Sequence, residues 1–147
     1  MEWREMKKYF IGYTQGVFDL FHVGHLNLLK QAKNQCDILI VGVNSDELVL
    51  SYKGKKPIIN DTERRDIVSS IRYVDKAVIA TTLDKTYALR KYKFDVLFIG
   101  DDWKGSERWK ETETEMSRYG IDVVYLSRTK GISSSEIRDK LSRIDNI

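Results

Sequence analysis

The chain has 147 residues but a single cysteine, Cys36, a single proline, Pro57, and only two histidines. One cysteine cannot close an internal disulfide, so the sequence predicts a fold held by packing in a reducing compartment, the cytoplasm. No apolar run approaches the roughly 20 residues that a membrane-spanning helix needs. The opening Met1-Glu2-Trp3-Arg4-Glu5 lacks the apolar core of a secretory signal. Internal repeats and low-complexity linkers are absent, and only Asp145 to Ile147 read as a loose end. The net charge of +3 suits an anionic ligand, but it is too mild and too evenly spread to indicate nucleic-acid binding. No Ser-His-Asp or Cys-His arrangement offers a nucleophile, and no acidic pair can be assigned to a metal. What remains is one domain over residues 1–147, large enough for a single core.

Short apolar runs alternate with amphipathic stretches along the whole chain. Tyr9 to Tyr13, Asp37 to Val43, Lys76 to Thr81 and Asp95 to Ile99 read as inner strands, and Ile121 to Leu126 as the fifth strand. Helices are expected over Leu26 to Lys33, after the Asn44-Ser45-Asp46 turn, and from Asp61 with a buried stripe of Ile67, Val68 and Ile71. Further helices are expected around Leu83 to Tyr92, over Glu107 to Tyr119 as a solvated helix ending at Gly120, and over Ser134 to Leu141. This alternation predicts an α/β fold with a five-stranded parallel sheet and helices on both faces. Ligands of such sheets sit beyond the carboxyl ends of the strands. Gly16 to His25, Ser45 to Lys56, Gly100 to Trp103 and Arg128 to Ser135 each come after a strand, so they are expected to converge on one cleft.

The most informative stretch is Gly16-Val17-Phe18-Asp19-Leu20-Phe21-His22-Val23-Gly24-His25. It reads as a strand end, a tight turn and a helix start, where unpaired N–H groups and the helix dipole favour phosphate. His22 and His25 lie three apart and share one face of that start. Both rings are expected to face the cleft without supporting the fold. Two other readings of the pair, metal ligands and ordinary structural histidines, are less suitable: no third ligand stands at metal spacing, and Gly24 implies a close approach to the backbone. A second anion cradle is read at Arg128-Thr129-Lys130-Gly131-Ile132-Ser133-Ser134-Ser135, where a strand-end arginine precedes three hydroxyls at a helix start. Capping that helix would need only one serine.

These motifs carry a resemblance. The first stretch resembles the H-x-G-H signature of the nucleotidyltransferase superfamily, and the second resembles the R-T-x-G-I-S-T-T signature of its cytidylyltransferase branch, with Ser134 and Ser135 in place of threonines. Asp46-Glu47, Glu63-Arg64-Arg65 and Arg72-Tyr73-Val74-Asp75 fit the same pattern, from about residue 8 onward. Gly100-Asp101-Asp102-Trp103-Lys104-Gly105 is similar to glycerol-3-phosphate cytidylyltransferases, whereas Gly-Val-Phe-Asp-Leu-Phe-His and Lys53-Gly54 lean towards the choline-phosphate branch.

The resemblance implies a Rossmann-like nucleotidyltransferase fold and direct in-line transfer from CTP, brought as its Mg²⁺ complex, to glycerol 3-phosphate or a similar phospho-alcohol. It implies His22, His25, Arg128 and Lys53 as catalytic groups. Val17, Phe18, Gly24, Lys55, Asp102, Thr129, Gly131, Ile132, Ser133, Ser134 and Ser135 would hold the nucleotide. Lys53, Arg72 and Lys85 would meet the acceptor phosphate. An extra residue before the lysines leaves open which of Lys53 and Lys55 meets which substrate. Asp102 reads equally as an acceptor for the cytosine amine or as a cap on the Gly105 turn, and Arg72 as an ion-pair partner of Asp75 or Asp66. The resemblance also implies a homodimer with the Arg72 to Asp75 region near its interface.

Overall fold

The computed structural model describes residues 7–145; residues 1–6, which include the opening Met1 to Glu5, and the final Asn146 and Ile147 lie outside the described residues. Five strands form one parallel sheet: β1 (Tyr9–Gly16), β2 (Cys36–Asn44), β3 (Lys76–Ala80), β4 (Val96–Gly100) and β5 (Asp122–Leu126). Their order is β3-β2-β1-β4-β5. The helices between and after them are α1 (Val23–Lys33), α2 (Asp46–Lys53), α3 (Asp61–Ser69), α4 (Lys85–Tyr92), α5 (Glu107–Arg118) and α6 (Ser134–Asp145). This is the expected Rossmann-like α/β sheet.

The unbroken apolar run of β2 reflects burial on both faces. Leu39, Val41 and Val43 pack with Leu29 and Ala32 of α1 and Val68 of α3 on one side. Ile40 joins Tyr13, Leu97, Ala88 of α4, and Trp109 and Met116 of α5 on the other. Two expectations are corrected here. Lys76 to Thr81 is no inner strand: β3 pairs with β2 alone and forms an edge, which its half-buried residues and exposed Lys76 tolerate. Glu107 to Tyr119 is not simply solvated, since Trp109 and Met116, two turns apart, bury one face of α5 beneath its charges.

The stripe expected on α3 also changes. Val68 is buried, but Ile67 is 39% exposed, and the inward position one turn earlier belongs to Arg64, 1% exposed. Its Nε donates to the Ile59 carbonyl at 2.8 Å, and its Nη1 donates to the carbonyls of Val17 (2.7 Å) and Asn44 (2.8 Å). Its Nη2 meets the Asp46 carboxylate at 2.8 Å. One guanidinium thus fastens the turn after β1, the end of β2, the start of α2 and the entry to α3. A lysine keeps the charge but not the planar fork. Arg64→Lys is therefore expected to cost about 3 kcal/mol, the scale of breaking a buried ion pair. The urea midpoint should fall while the slope of the transition stays unchanged. A midpoint equal to the parent's would mean the fork is dispensable.

Candidate active site

The strand order fixes the order of the loops along the carboxyl edge: those after β3, β2, β1, β4 and β5. Those after β2, β1, β4 and β5 line a cleft of about 420 Å³, within the range of small-ligand sites. Gly16 to Asp19, His22, Gly24 and His25 line it from β1, Lys53 and Lys55 to Ile58 from β2, and Gly100, Asp102 and Trp103 from β4. Ser127 to Thr129 and Ile132 to Ser135 line it from β5, with Arg138 of α6.

The turn after β1 is built under strain. Phe18 and Leu20 both adopt left-handed backbone conformations, at φ 55° and 49°. Such strain persists only where surrounding contacts over-determine it. Buried Asp19, between them, supplies those contacts. Its carboxylate accepts from the backbone N–H of Ile58 at 2.8 Å, Ile59 at 3.0 Å and Leu20 at 3.1 Å, with Arg138 at 3.5 Å. Its carbonyl accepts from the Ser134 hydroxyl at 2.6 Å. Asp19 therefore holds the turn, and it also ties the lysine loop and α6 to it.

The two histidines form a reciprocal cap. His22 is the N-cap of α1, and its Nδ1 accepts from the Gly24 N–H at 3.0 Å. His25 reaches back, so that its Nδ1 accepts from the His22 N–H at 3.2 Å. A cap acceptor must be unprotonated, so each neutral ring carries its proton on Nε2. The rings stack 3.8 Å apart. Burial, and then the neighbouring His22, push His25 down to about 3 against the pull of Asp19. Burial likewise lowers His22, opposed by Glu136. Both are thus neutral N–H donors at neutral pH. The expectation that they leave the fold unsupported is corrected, because they cap α1. Gly24 has a local reason as well: a Cβ there would stand 2.8 Å from the His22 ring.

Cations crowd the same space. Desolvation, then Arg138 and Lys55, lower the pKa of Lys53, and Asp19 opposes them. Lys56 and Arg128 also line the cleft. At the start of α6, Ser133 accepts from the Glu136 N–H at 3.1 Å and Ser135 accepts from Arg138 at 3.1 Å. Both hydroxyl protons stay available to an anion. Thr129 accepts from Asn27 at 2.9 Å, and Gly131 turns at φ 80° outside the lining.

Two assigned acceptor residues are not brought into this cleft. Arg72 lies on the surface, donating to the Tyr73 hydroxyl at 2.7 Å and lying over its ring. Neither carboxylate suggested for it is its partner, since Asp75 pairs with Lys33 and Asp66 with Arg65. Lys85 is buried behind the cleft wall, where it donates to the Leu83 carbonyl at 2.9 Å and sits 5.7 Å from the Trp109 ring centroid. Burial, then Arg108, bring it down to about 8 against Asp84. Among the described residues no carboxylate stands within ion-pair distance of it. A buried cation without a counter-charge is a frequent mark of an anion site.

Sequence reasoning did not assign Lys56, Arg138 or Gln15, which also line the cleft, nor the anchoring role of Arg64. Lys56 belongs to the basic loop that pointed to Lys53 and Lys55. Arg138 stands one turn beyond Ser134 and could have been found by helical spacing. No group of three His, Cys, Asp or Glu among the described residues could hold a metal, and the Asp19 oxygens are already taken.

Comparisons with known proteins agree with this geometry. The Cytidylyltransferase-like family model matches residues 13–140. Glycerol-3-phosphate cytidylyltransferase of Bacillus spizizenii is 36% identical over 132 residues, covering 89% of this chain and 96% of that protein. The bifunctional protein HldE of Hyphomonas neptunium is 40% identical over 115 residues, 78% of this chain but 22% of its own length. A crystal structure of the lipopolysaccharide core biosynthesis protein from Thermoplasma volcanium superposes with a TM-score of 0.69 at 29% identity, covering 84% of this chain and 99% of that one.

The histidine cap separates structural from chemical roles. An asparagine places its carbonyl near the position of Nδ1 but has no Nε2 donor and does not titrate. His25→Asn should keep most of the melting temperature at pH 8, whereas His25→Ala should lose about 1 kcal/mol of cap energy. Because the folded pKa lies below the ordinary 6.5, the His25 contribution is complete above pH 6.5 and is lost as pH falls towards 3. Urea midpoints at pH 8, 6 and 4.5 should thus fall more steeply for the parent than for His25→Asn. Parallel curves would contradict the buried neutral ring.

Proposed function

We propose, because this chain belongs to the cytidylyltransferase-like family, that it transfers the cytidylyl group of CTP to glycerol 3-phosphate, giving CDP-glycerol and pyrophosphate. The observation that carries the proposal is the cleft itself, where two fixed neutral donors face converging cations and no nucleophile is poised among the described residues. Direct transfer requires little else. An oxygen of the acceptor phosphate attacks the α-phosphorus in line, the bond to the bridging oxygen breaks, and pyrophosphate leaves. The Nε2–H groups of His22 and His25 donate to oxygens that gain charge in the transition state, with no proton moved. Arg128 and the hydroxyls of Ser133 and Ser135 hold the departing phosphates. Mg²⁺ arrives with CTP, ligated by phosphate and water.

The strand order supports a division of the cleft. CTP lies over the loops after β1, β4 and β5, with Asp102 beside the base, while the acceptor lies over those after β1, β2 and β3. Lys53 is then the acceptor's cation and Lys55 faces the triphosphate, while buried Lys85 adds its charge from behind the wall. Glycerol 3-phosphate is favoured by the name of the Bacillus relative and by Gly100 to Gly105. Phosphocholine is the alternative, but it needs an aromatic cage, and Trp103 is the one tryptophan of the described lining. We further propose a cytoplasmic homodimer, with the Arg72 to Asp75 region near its interface. Buried Cys36, whose thiol is pushed up to about 11, fits a reducing compartment.

Pyrophosphate release should be fastest with CTP and glycerol 3-phosphate in a panel of four nucleoside triphosphates and three acceptors, including phosphocholine and phosphoethanolamine. Faster turnover with phosphocholine would overturn the acceptor, and faster turnover with ATP the nucleotide.

A further test uses pH. The Lys85 ammonium loses its proton as pH rises through about 8, so kcat/KM for the acceptor should fall above that pH. In Lys85→Arg, whose charge persists, that falling limb should disappear. A limb unchanged in the variant would exclude Lys85 as its origin.

A further inference from the structure

Arg128 lines the cleft, and among the described residues its side chain enters no ion pair. Where it can reach is therefore set by the backbone that carries it. Outside the helix and strand ladders, the backbone hydrogen bonds of the described residues include none from Ser127 to Ile132. Side chains of α1 hold that loop instead. Gln31 Nε2 donates to the Ser127 carbonyl at 3.0 Å, and Gln31 Oε1 accepts from the Ser127 N–H at 3.2 Å. Asn27 Nδ2, one turn earlier, donates to the Thr129 hydroxyl oxygen at 2.9 Å. Both neighbours of Arg128 are thus tied to one helix.

The pairing follows from the chemistry of a primary amide. It presents a donor and an acceptor side by side, which the C=O and N–H of a single residue can match. A backbone N–H only donates and a carbonyl only accepts, so the orientation of the Gln31 amide is settled. The side chain takes the place of a further ladder rung where the pairing of β4 with β5 stops at Leu126. Asn27 and Gln31 lie four apart, on one face of α1, and neither is among the residues that line the cleft. The same helix has His22 at its N-cap and His25 in its first turn. One rigid element therefore carries the two imidazoles at its start and grips the arginine loop from its flank.

We propose that Asn27 and Gln31 are positioning residues that act through Arg128: by holding Ser127 and Thr129 they keep the arginine in register with the histidines, at the pyrophosphate end of the triphosphate. This rests on the in-line transfer reading above. Charge grows on the departing pyrophosphate as its bond to the α-phosphorus breaks, and a cation on a tethered backbone needs less rearrangement to meet it than one on a free loop. A plain anchor would serve stability whether or not Arg128 is present. A positioning residue loses its effect once the arginine is gone.

The test is a double-mutant cycle between Gln31→Met and Arg128→Ala, read by calorimetric titration with inorganic pyrophosphate and by kcat for pyrophosphate release. Methionine keeps the length and the helix propensity of glutamine and removes both hydrogen bonds. With Arg128 present, Gln31→Met should weaken pyrophosphate binding about 10-fold, the scale of one or two lost hydrogen bonds. It should lower kcat and leave KM for the acceptor unchanged. In the Arg128→Ala background the same change should cost less than about 2-fold. An equal loss in both backgrounds overturns the proposal. Binding unchanged by Gln31→Met overturns it as well, whatever happens to the melting temperature. If Gln31→Met does not fold, Asn27→Leu enters the same cycle and is judged in the same way. A parent protein that binds no pyrophosphate sinks this proposal. Coupled binding in a parent silent with CTP and every acceptor supports it, and sinks the glycerol 3-phosphate reading alone.

Discussion

A guanidinium with no water around it must find acceptors in the protein, and for Arg64 those acceptors are the site's own loops. Three carbonyls and one carboxylate surround it, and they come from three separate stretches of the chain, at Val17, at Asn44 and Asp46, and at Ile59. Burying the charge is costly unless all of them stay in place. The cost of losing one contact thus becomes a restraint on loop geometry. Asp19 works from the opposite sign, its carboxylate gathering N–H donors from the lysine loop and a cation from α6. Between them they hold a turn with two residues in left-handed conformations, so the donors need little reorganisation when charge appears.

The cleft separates two kinds of polar work. Its histidines are neutral and fixed, each by a hydrogen bond on the ring nitrogen that does not face a ligand. Its positive charge comes largely from long side chains, Lys53, Lys55, Lys56 and Arg128, able to follow an anion as it moves. Short, rigid donors suit charge that appears over a fraction of an ångström. Flexible cations suit gathering a polyanion from solution. Protonating either ring would blur the division, and the stacked pair resists it: burial is the larger cause, and at His25 the neighbouring ring adds to it.

The sheet and the convergence of four loops were readable because period and composition report burial directly. Asp-Ile-Leu-Ile-Val-Gly-Val is buried on both faces, and it reads that way. The edge position of β3 was hidden, since strand order is set by contacts distant in sequence. Arg64 was hidden for a different reason: composition places arginine outside, and only tertiary carbonyls make its burial tolerable. The histidines were recognisable as a site from their spacing, but their mutual capping was not, because histidine is rarely read as an N-cap. Lys85 could be named from a resemblance, yet its place behind the cleft wall depends on Trp109, which arrives from another helix.

The strand order has an evolutionary consequence. The histidine turn leaves the central strand, whereas β3 and β5 are the two edges of the sheet. Edge elements tolerate insertion and replacement more readily than central ones, since fewer neighbours must adjust. A lineage could remodel the loop after β3 without disturbing the loop after β5, and the reverse. The two halves of the cleft are therefore free to diversify separately around one unchanged pair of imidazoles, as a tool with a fixed handle takes different bits.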